Sequence, residues 1–322
     1  MNDSVPSVTV VIAARPDQAE IKAVTAARAL DYPADKLEII VARGKQPSVQ
    51  RNTAMRAARG EWIYFLDDDS VPGPENLRLA LRHLNSPNVK MLGGPNVCPP
   101  DAPGLEKVFA LVLASWLAFG PSRARYAPVG DARASGEKEL ILCNLMARRD
   151  AMLELGGFDE ALYPNEENAL MDGLQARGGT LMYDPQFSVF RRPRSNLASF
   201  AKMLRTYGRG RAEQFRLHPT FGSALNFVPP LFCLYLVALP FAAWWFGWLT
   251  IVPLFFYKLA VLLQVAALLA GGAPFFPALG AIPLIVLTHI LYGYGFWRGL
   301  FTTLKPPGQR PTIEVELENI RR

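Results

Sequence analysis

RNTAMRAARGEWIYFLDDDSVP, residues 51–72, reads as the body of a helix that spans 49–59, a turn at Gly60, and an apolar strand at Trp62–Leu66 that runs directly into Asp67-Asp68-Asp69. A short aromatic and β-branched run bounded by a glycine turn fits a fully buried strand. Three adjacent carboxylates repel one another and are costly to bury without compensation. Because they follow such a strand, they are held in place rather than dispersed in solvent. Alternation along the strand puts Asp67 and Asp69 on one face and turns Asp68 toward the helix at Asn76 or toward water. A hard divalent cation, Mg2+ or Mn2+, would neutralise the pair and bridge it to phosphate oxygens. A solvated strand end has the same composition, so the triplet alone is not diagnostic.

Outward from this stretch, strands and helices alternate. VTVVIA at Val8–Ala13 is a buried strand closed by Arg15-Pro16; a helix follows over 19–30, then the strand LEIIV at Leu37–Val41. Beyond the triplet, 76–84 reads as a helix and 89–92 as a strand. Short connections between such elements predict an α/β fold with a mostly parallel sheet. Sheets of this kind place ligands at the carboxyl ends of their strands, where the triplet stands. Residues 106–119, apolar with Trp116 and Phe119, are too short and interrupted to span a bilayer and suit either an interfacial segment or a core helix. The Arg-, Gly- and Ala-rich stretch 121–138 reads as a mobile loop beside the site.

A second acidic cluster lies in GGFDEALYPNEENAL, residues 156–170. Gly156 and Gly157 permit a tight turn, and Glu166 and Glu167 open a helix whose dipole favours their charged form. A carboxylate there could take a proton from a substrate hydroxyl, or it could simply cap the helix. Strand character over 140–147, 180–183 and 187–190, and a helix over 197–215 carrying Lys202, Arg205, Arg209 and Arg211, complete this part.

The apolar residues, half of the 322, are unevenly spread. Lys258 carries the one formal charge between residues 225 and 297, with Arg298 just beyond. A bilayer span needs about 20 such residues, so windows such as 226–246, 248–269 and 276–296 could each cross. The basic flanks on both sides of this block favour an even number of crossings with both flanks in the cytoplasm. The composition divides the chain into a cytoplasmic domain at 1–220, a transmembrane or interfacial helical anchor at 221–305 and a tail at 306–322, in which TIEVEL at 312–317 alternates like a strand. The net charge of +6 gathers between Arg191 and Arg216, directly before the apolar block. That placement points to an anionic membrane surface, to phosphates near it or to a topology signal, and away from nucleic acid. Cys98, Cys143 and Cys233 lack metal-ligand spacing, and their odd number suits a reducing compartment.

Taken together, VTVVIAAR, LEIIV, RNTAMRAARGEWIYFLDDDSVP, NLMARRDAMLELGGFDE, NEENAL and LQARGGTLMYDP resemble the family 2 glycosyltransferases, over roughly residues 7–215. The resemblance implies the GT-A nucleotide-diphospho-sugar transferase fold followed by C-terminal transmembrane helices. Asp69 and Asp67 match the metal-binding pair, with Mg2+ or Mn2+ as cofactor, and Asp67 and Asp68 belong to the donor-binding set. Glu167 matches the catalytic base and Glu166 the glutamate before it. Ala13 and Arg15 fall beside the nucleotide base, Arg51 and Asn52 under the nucleotide, and Asn144 in the wall of the site. Arg205 and Arg209 would assist departure of the diphosphate. The implied reaction is inverting, from a nucleotide-sugar donor to a lipid-linked, polyprenyl-type or glycan acceptor, in a multi-pass protein of the inner membrane with a cytoplasmic catalytic domain. Membrane lipids are the implied surroundings; homo-oligomerisation is compatible with the sequence but not specified by it.

Three departures from the family pattern stand out: Ala42-Arg43-Gly44-Lys45 lacks the aspartate that holds the base, Glu166-Glu167 replaces Glu-Asp, and TYGRGRAEQ stands where processive synthases carry Gln-x-x-Arg-Trp. The last implies addition of one or few sugars. The first two leave room for an alternative, a non-catalytic scaffold or partner subunit in a polysaccharide assembly complex.

Overall fold

The computed structural model describes residues 5–160, 166–217, 219, 221–304 and 313–321. It divides into two compact units: Met1–Pro99, Pro121–Arg192 and Pro306–Arg322 form the first, Pro100–Gly120 and Pro193–Lys305 the second.

The first unit is built on an eight-stranded sheet, with a small three-stranded sheet beside it. In chain order its elements are β1 (Val8–Ala14), α1 (Lys22–Arg28), β2 (Leu37–Arg43), α2 (Pro47–Ala57), β3 (Trp62–Asp67), β4 (Val71–Pro72), α3 (Asn76–Leu84), β5 (Val89–Gly93) and β6 (Asn96–Val97). Within the second unit come α4 (Gly104–Leu113) and α5 (Trp116–Phe119). The first unit resumes with β7 (Arg133–Ser135), β8 (Asn144–Arg148), α6 (Arg149–Glu154), α7 (Glu166–Ala176), β9 (Thr180–Tyr183) and β10 (Val189–Phe190). The second unit then adds α8 (Leu197–Leu217), α9 (Val228–Phe246), α10 (Val252–Ala270) and α11 (Phe275–Phe301), and β11 (Glu316–Asn319) returns to the first.

The strand order is β4-β10-β6 in the small sheet and β11-β2-β1-β3-β8-β5-β9-β7 in the large one. Within the large sheet β2-β1-β3 and β5-β9 pair in parallel; β8 runs antiparallel to both its neighbours, and β7 and β11 close the edges antiparallel. The sheet is therefore mixed, where strand–helix alternation pointed to a mostly parallel one. The reason is that β8 is reached by the long excursion through residues 98–143 and not by a single right-handed βαβ crossover. The central strands are buried on both faces, as their unbroken apolar runs require. Val10, Ile12, Tyr64 and Leu66 pack into one layer, and Val11, Ile63 and Phe65 into the other with Met55 of α2 and Met171 of α7. Asp67 continues the parity of Ile63 and Phe65, so it faces the helix side that carries α2 and α7.

The stretch 121–138 is tied down rather than loose. Arg125 donates to the Lys138 and Glu137 carbonyls and to Asn168 Oδ1, and Arg133 pairs with Glu139 while β7 joins β9. The C-terminal strand forms four residues later than TIEVEL suggested, at Glu316–Asn319, antiparallel to β2, with Glu318 on Arg43 at 3.2 Å; Thr312 lies outside the described residues.

In the second unit, Ala224–Ala270 and Phe275–Phe301 are stretches long and apolar enough to cross a membrane. Trp244, Phe276 and Phe301 expose more than four-fifths of their surface, as side chains facing hydrocarbon do and a water-soluble helix avoids. Residues 104–113 and 116–125 form a helix pair bent by 60°. The break is satisfied from the apolar block: Leu117 N–H donates to Gln264 Oε1 (3.0 Å), its carbonyl accepts from His289 Nε2 (2.9 Å), and His289 Nδ1 meets the Tyr257 hydroxyl (2.8 Å). Gln264 and His289 thus hold irregular backbone inside the bundle. Helices α8 and α11 touch backbone to backbone: a Cβ on Gly208 would sit 2.0 Å from the Tyr292 carbonyl, one on Gly295 2.2 Å from that of Arg205, and one on Gly299 2.4 Å from that of Arg209. Small residues four apart on α11 allow this approach.

Candidate active site

Strand β3 ends at Asp67, and Ser70 N–H closes a tight turn onto the Asp67 carbonyl. Asp67 and Asp69 are thereby presented at the strand's carboxyl end, with side chains 24% and 45% exposed. Asp68 is half-buried, and its carbonyl accepts from Ala23 N–H, which ties the turn to α1.

Both helices on this side of the sheet deliver a partner. Arg51 of α2 donates through Nη2 to Asp67 Oδ1 (2.8 Å) and through Nη1 to Glu166 Oε1 of α7 (3.3 Å). Burial, and then the neighbouring Glu167, push the Glu166 carboxyl up to about 7, while Arg51 opposes the shift. Glu167, next on the helix and about 100° around it, is half-buried and so the more open of the two. One guanidinium therefore links the two acidic clusters into a single site.

Asn52 does not reach into that site. Its amide bonds the Phe158 N–H and carbonyl and Glu160 Oε1, each at 2.9 Å, and so pins the turn before α7. Gly157 is required there: it has φ +85°, and a Cβ would lie 2.4 Å from Asn52 Oδ1. Asn144 likewise does not form the wall expected of it. Its register partner is Leu66, whose side chain faces the opposite layer from Asp67. Fully buried there, it accepts from the Tyr64 hydroxyl (2.8 Å) and donates to the Phe187 carbonyl (2.6 Å).

Ala13 is the register partner of both Asp67 and Ala42, which puts it on the floor between the strand ends. Arg15 follows in an exposed loop whose carbonyls are held by Arg43 Nη1, most closely that of Gln18 at 2.9 Å. Gln50 Nε2 donates to the carbonyls of Ala14 (2.7 Å) and Ala42 (2.6 Å). Side chains of Arg43 and Gln50 thus organise the region where the expected aspartate is missing. Arg205 and Arg209 lie on α8 of the second unit, where Arg209 pairs with Glu213 at 3.4 Å.

Sequence reasoning missed Arg191. It lies one residue beyond β10, whose Phe190 pairs with Val71, and it reaches Asp69 Oδ1 through Nε (2.6 Å) and Asp67 Oδ2 through Nη2 (3.1 Å). Although burial works the other way, Asp67, Cys143 and Asp69 hold this guanidinium well above its usual range. No local signal marked it; it lay among the basic residues before the membrane block.

The donor set suits a hard cation. Asp67 and Asp69 offer oxygen ligands in a partly open position, and Mg2+ commonly takes one or two carboxylates and completes its shell with phosphate and water. Among the described residues no group of three or more His, Cys, Asp or Glu side chains converges to hold a metal, so the remaining ligands would have to come from a bound diphosphate and solvent.

Among known proteins, the chain is 27% identical over 202 residues to the succinoglycan biosynthesis protein ExoA of Rhizobium meliloti, which covers 61% of this chain and 56% of that protein. It is 26% identical over 175 residues to a pre-mycofactocin glycosyltransferase of Mycobacterium tuberculosis, covering 54% of this chain and 36% of the relative. The chain thus spans about half, or less, of the length of these relatives. The mannosyltransferase PcManGT from Pyrobaculum calidifontis, solved in complex with GDP-Man and Mn2+, superposes with a TM-score of 0.60 at 18% identity, over 92% of this chain and 87% of that one. The expected glycosyltransferase fold is thereby shown. Residues 62–276, from the first residue of β3 into α11, match the model of glycosyl transferase family group 2, and the chain belongs to that family.

Proposed function

We propose that this protein is a membrane-associated, inverting glycosyltransferase that moves a sugar from a nucleotide-sugar donor to a lipid-linked or glycan acceptor at the cytoplasmic face of the inner membrane. The observation that carries this reading is the Asp67–Arg51–Glu166 chain, at 2.8 and 3.3 Å, which joins the strand-end aspartates to the glutamate pair. The names of the relatives, a succinoglycan biosynthesis protein and a glycosyltransferase, support assembly of a glycoconjugate.

Asp69 and Asp67 would hold a divalent cation, which when bound offsets charge on the departing diphosphate. Arg51 fixes Asp67 through Oδ1, and Asp67 Oδ2 is the oxygen that faces Asp69 across Arg191. Glu167 takes the proton of the acceptor hydroxyl. As the acceptor oxygen bonds to the anomeric carbon, the bond from that carbon to the donor phosphate breaks on the opposite side, which inverts the centre. Arg205 and Arg209, on α8 with its basic face, are assigned to lipid-borne phosphates. The test is turnover of nucleotide sugars by the full chain with membrane lipids and Mn2+. The Asp69→Ala variant is expected to lose that turnover; full activity in this variant would remove the metal site. Absence of any nucleoside diphosphate binding would favour a non-catalytic scaffold.

Chain connectivity supports an even number of membrane crossings. The polypeptide leaves the first unit after Arg192 and returns to it by Pro306, and β11 is hydrogen-bonded into its sheet. A chain that departs from and rejoins one folded unit stays on one side of the bilayer overall. Three full crossings therefore do not fit; α9 and α10, broken at Gly247 with φ +61°, would jointly contribute one crossing and α11 the other. Reporter fusions at the two ends of the chain are expected on the same, cytoplasmic side. Reporters on opposite sides would overturn the even count.

A further inference from the structure

Arg191 makes contacts that nothing in the proposed reaction uses. Its backbone N–H donates to the Val97 carbonyl (3.0 Å), and β10 is held between β4 and β6, so the side chain is launched from a fixed point beside the acidic turn. Asp67 Oδ1 belongs to Arg51; Asp67 Oδ2 and Asp69 Oδ1 are both taken by Arg191. These are the oxygens of two different residues that lie close enough to share one cation, and a guanidinium already bridges them.

We propose that Arg191 is the resident counter-ion of the Asp67–Asp69 pair and makes divalent-cation binding depend on the donor's diphosphate. The inference rests on the reading of these aspartates as the metal site. A divalent ion arriving alone must displace a permanent cation and leave its guanidinium without an anionic partner, which is strongly unfavourable in a partly closed site. An ion arriving with a diphosphate brings phosphate oxygens that the planar fork of arginine fits in a bidentate manner. The freed guanidinium is then paired again, on the donor. Metal and donor consequently strengthen each other's binding by the same factor. Cys143, buried nearby, is pushed up to about 11 by burial and by Asp67 and Asp69, though Arg191 opposes the shift.

The experiment is titration of Mn2+ into the purified full chain, followed by the electron paramagnetic resonance signal of free aqueous Mn2+. It is run with Mn2+ alone and, separately, with UDP or GDP present. The unmodified protein is expected to bind Mn2+ alone at least about tenfold more weakly than with the matching diphosphate, a screened fraction of the full coulombic effect. Arg191→Gln is expected to bind Mn2+ alone about tenfold more tightly than the unmodified protein and to lose most of the dependence on diphosphate. Arg191→Lys, which keeps the charge, should stay close to the unmodified protein, and this separates charge from any general loosening. If Mn2+ binds with diphosphate but Arg191→Gln binds Mn2+ alone no more tightly, the counter-ion role is wrong and the metal site stands. If neither protein binds Mn2+ with either diphosphate, the metal-site reading fails and takes this inference with it.

Discussion

Glu167→Gln is expected to lower sugar transfer by about a thousandfold, within the range of general-base contributions, while nucleotide-sugar binding stays close to that of the unmodified protein. The two adjacent glutamates differ in what they can reach. Glu166 is buried, paired with Arg51, and held up to about 7 by burial and by Glu167. Its carboxyl has the acidity of a base suited to neutral pH, but no acceptor hydroxyl can approach a side chain that is 4% exposed. Glu167 lies around the helix on the more open side, where an acceptor can meet it. The variant keeps size and polarity and removes only the ability to take a proton. The measurement is steady-state turnover beside direct donor binding. Loss of turnover in Glu166→Gln with near-normal turnover in Glu167→Gln would transfer the base to Glu166.

Arg51→Met is expected to destabilise the protein by about 3–5 kcal/mol near neutral pH, the range for removing one partner of a buried charged group. Arg51 is 6% exposed and is the cation shared by Asp67 and Glu166. Without it, both carboxylates face Glu167 and Asp69 with Arg191 as the remaining nearby guanidinium. The deficit should be larger at pH 8 than at pH 5, because at pH 5 Glu166 is already neutral and only Asp67 loses a charged partner. In the unmodified protein the Glu166 shift has a definite sign. A carboxyl raised above its unfolded value of 4.5 to about 7 stabilises the fold fully below 4.5, and this contribution is lost as pH rises through 7, by up to about 3 kcal/mol. Glu166→Gln should flatten stability across that window. Glu38 acts in a separate one: against the effect of its burial, Arg59 and Thr9 hold it below the usual range, so its contribution is lost only as pH falls further. Unfolding temperatures in detergent across pH 4–8 measure the Arg51 and Glu166 effects, with a further series below pH 4 for Glu38, and an unchanged Arg51→Met protein at pH 8 would refute the shared-cation account.

Much of the site could be read from local sequence. WIYFLDDD announces a buried strand ending in acid, and its bounds differ by one residue from those of β3. The helix beginning at Glu166 and the long apolar block are equally local features, set by composition and periodicity. Other assignments moved because they depend on pairing. Asn144 looked like a wall residue, but its register with Leu66 turns it to the opposite layer. Asn52 looked like a nucleotide contact, but the turn at Gly157 takes its whole amide. Gln264 and His289 are isolated polar residues in an apolar run until the broken backbone at Leu117 comes to them from far away in sequence.

The sequence by itself determined the longer strands and helices, the acidic strand end, the paired glutamates and the membrane-compatible block, because each follows from the side chains of a few neighbouring residues. The tertiary structure alone decided that Arg51 joins the two acidic clusters, that Arg191 bridges the aspartates and that β11 returns to the edge of β2. Those contacts link residues 115, 122 and about 275 positions apart. Strand order and register bring such residues together, and no local propensity encodes either.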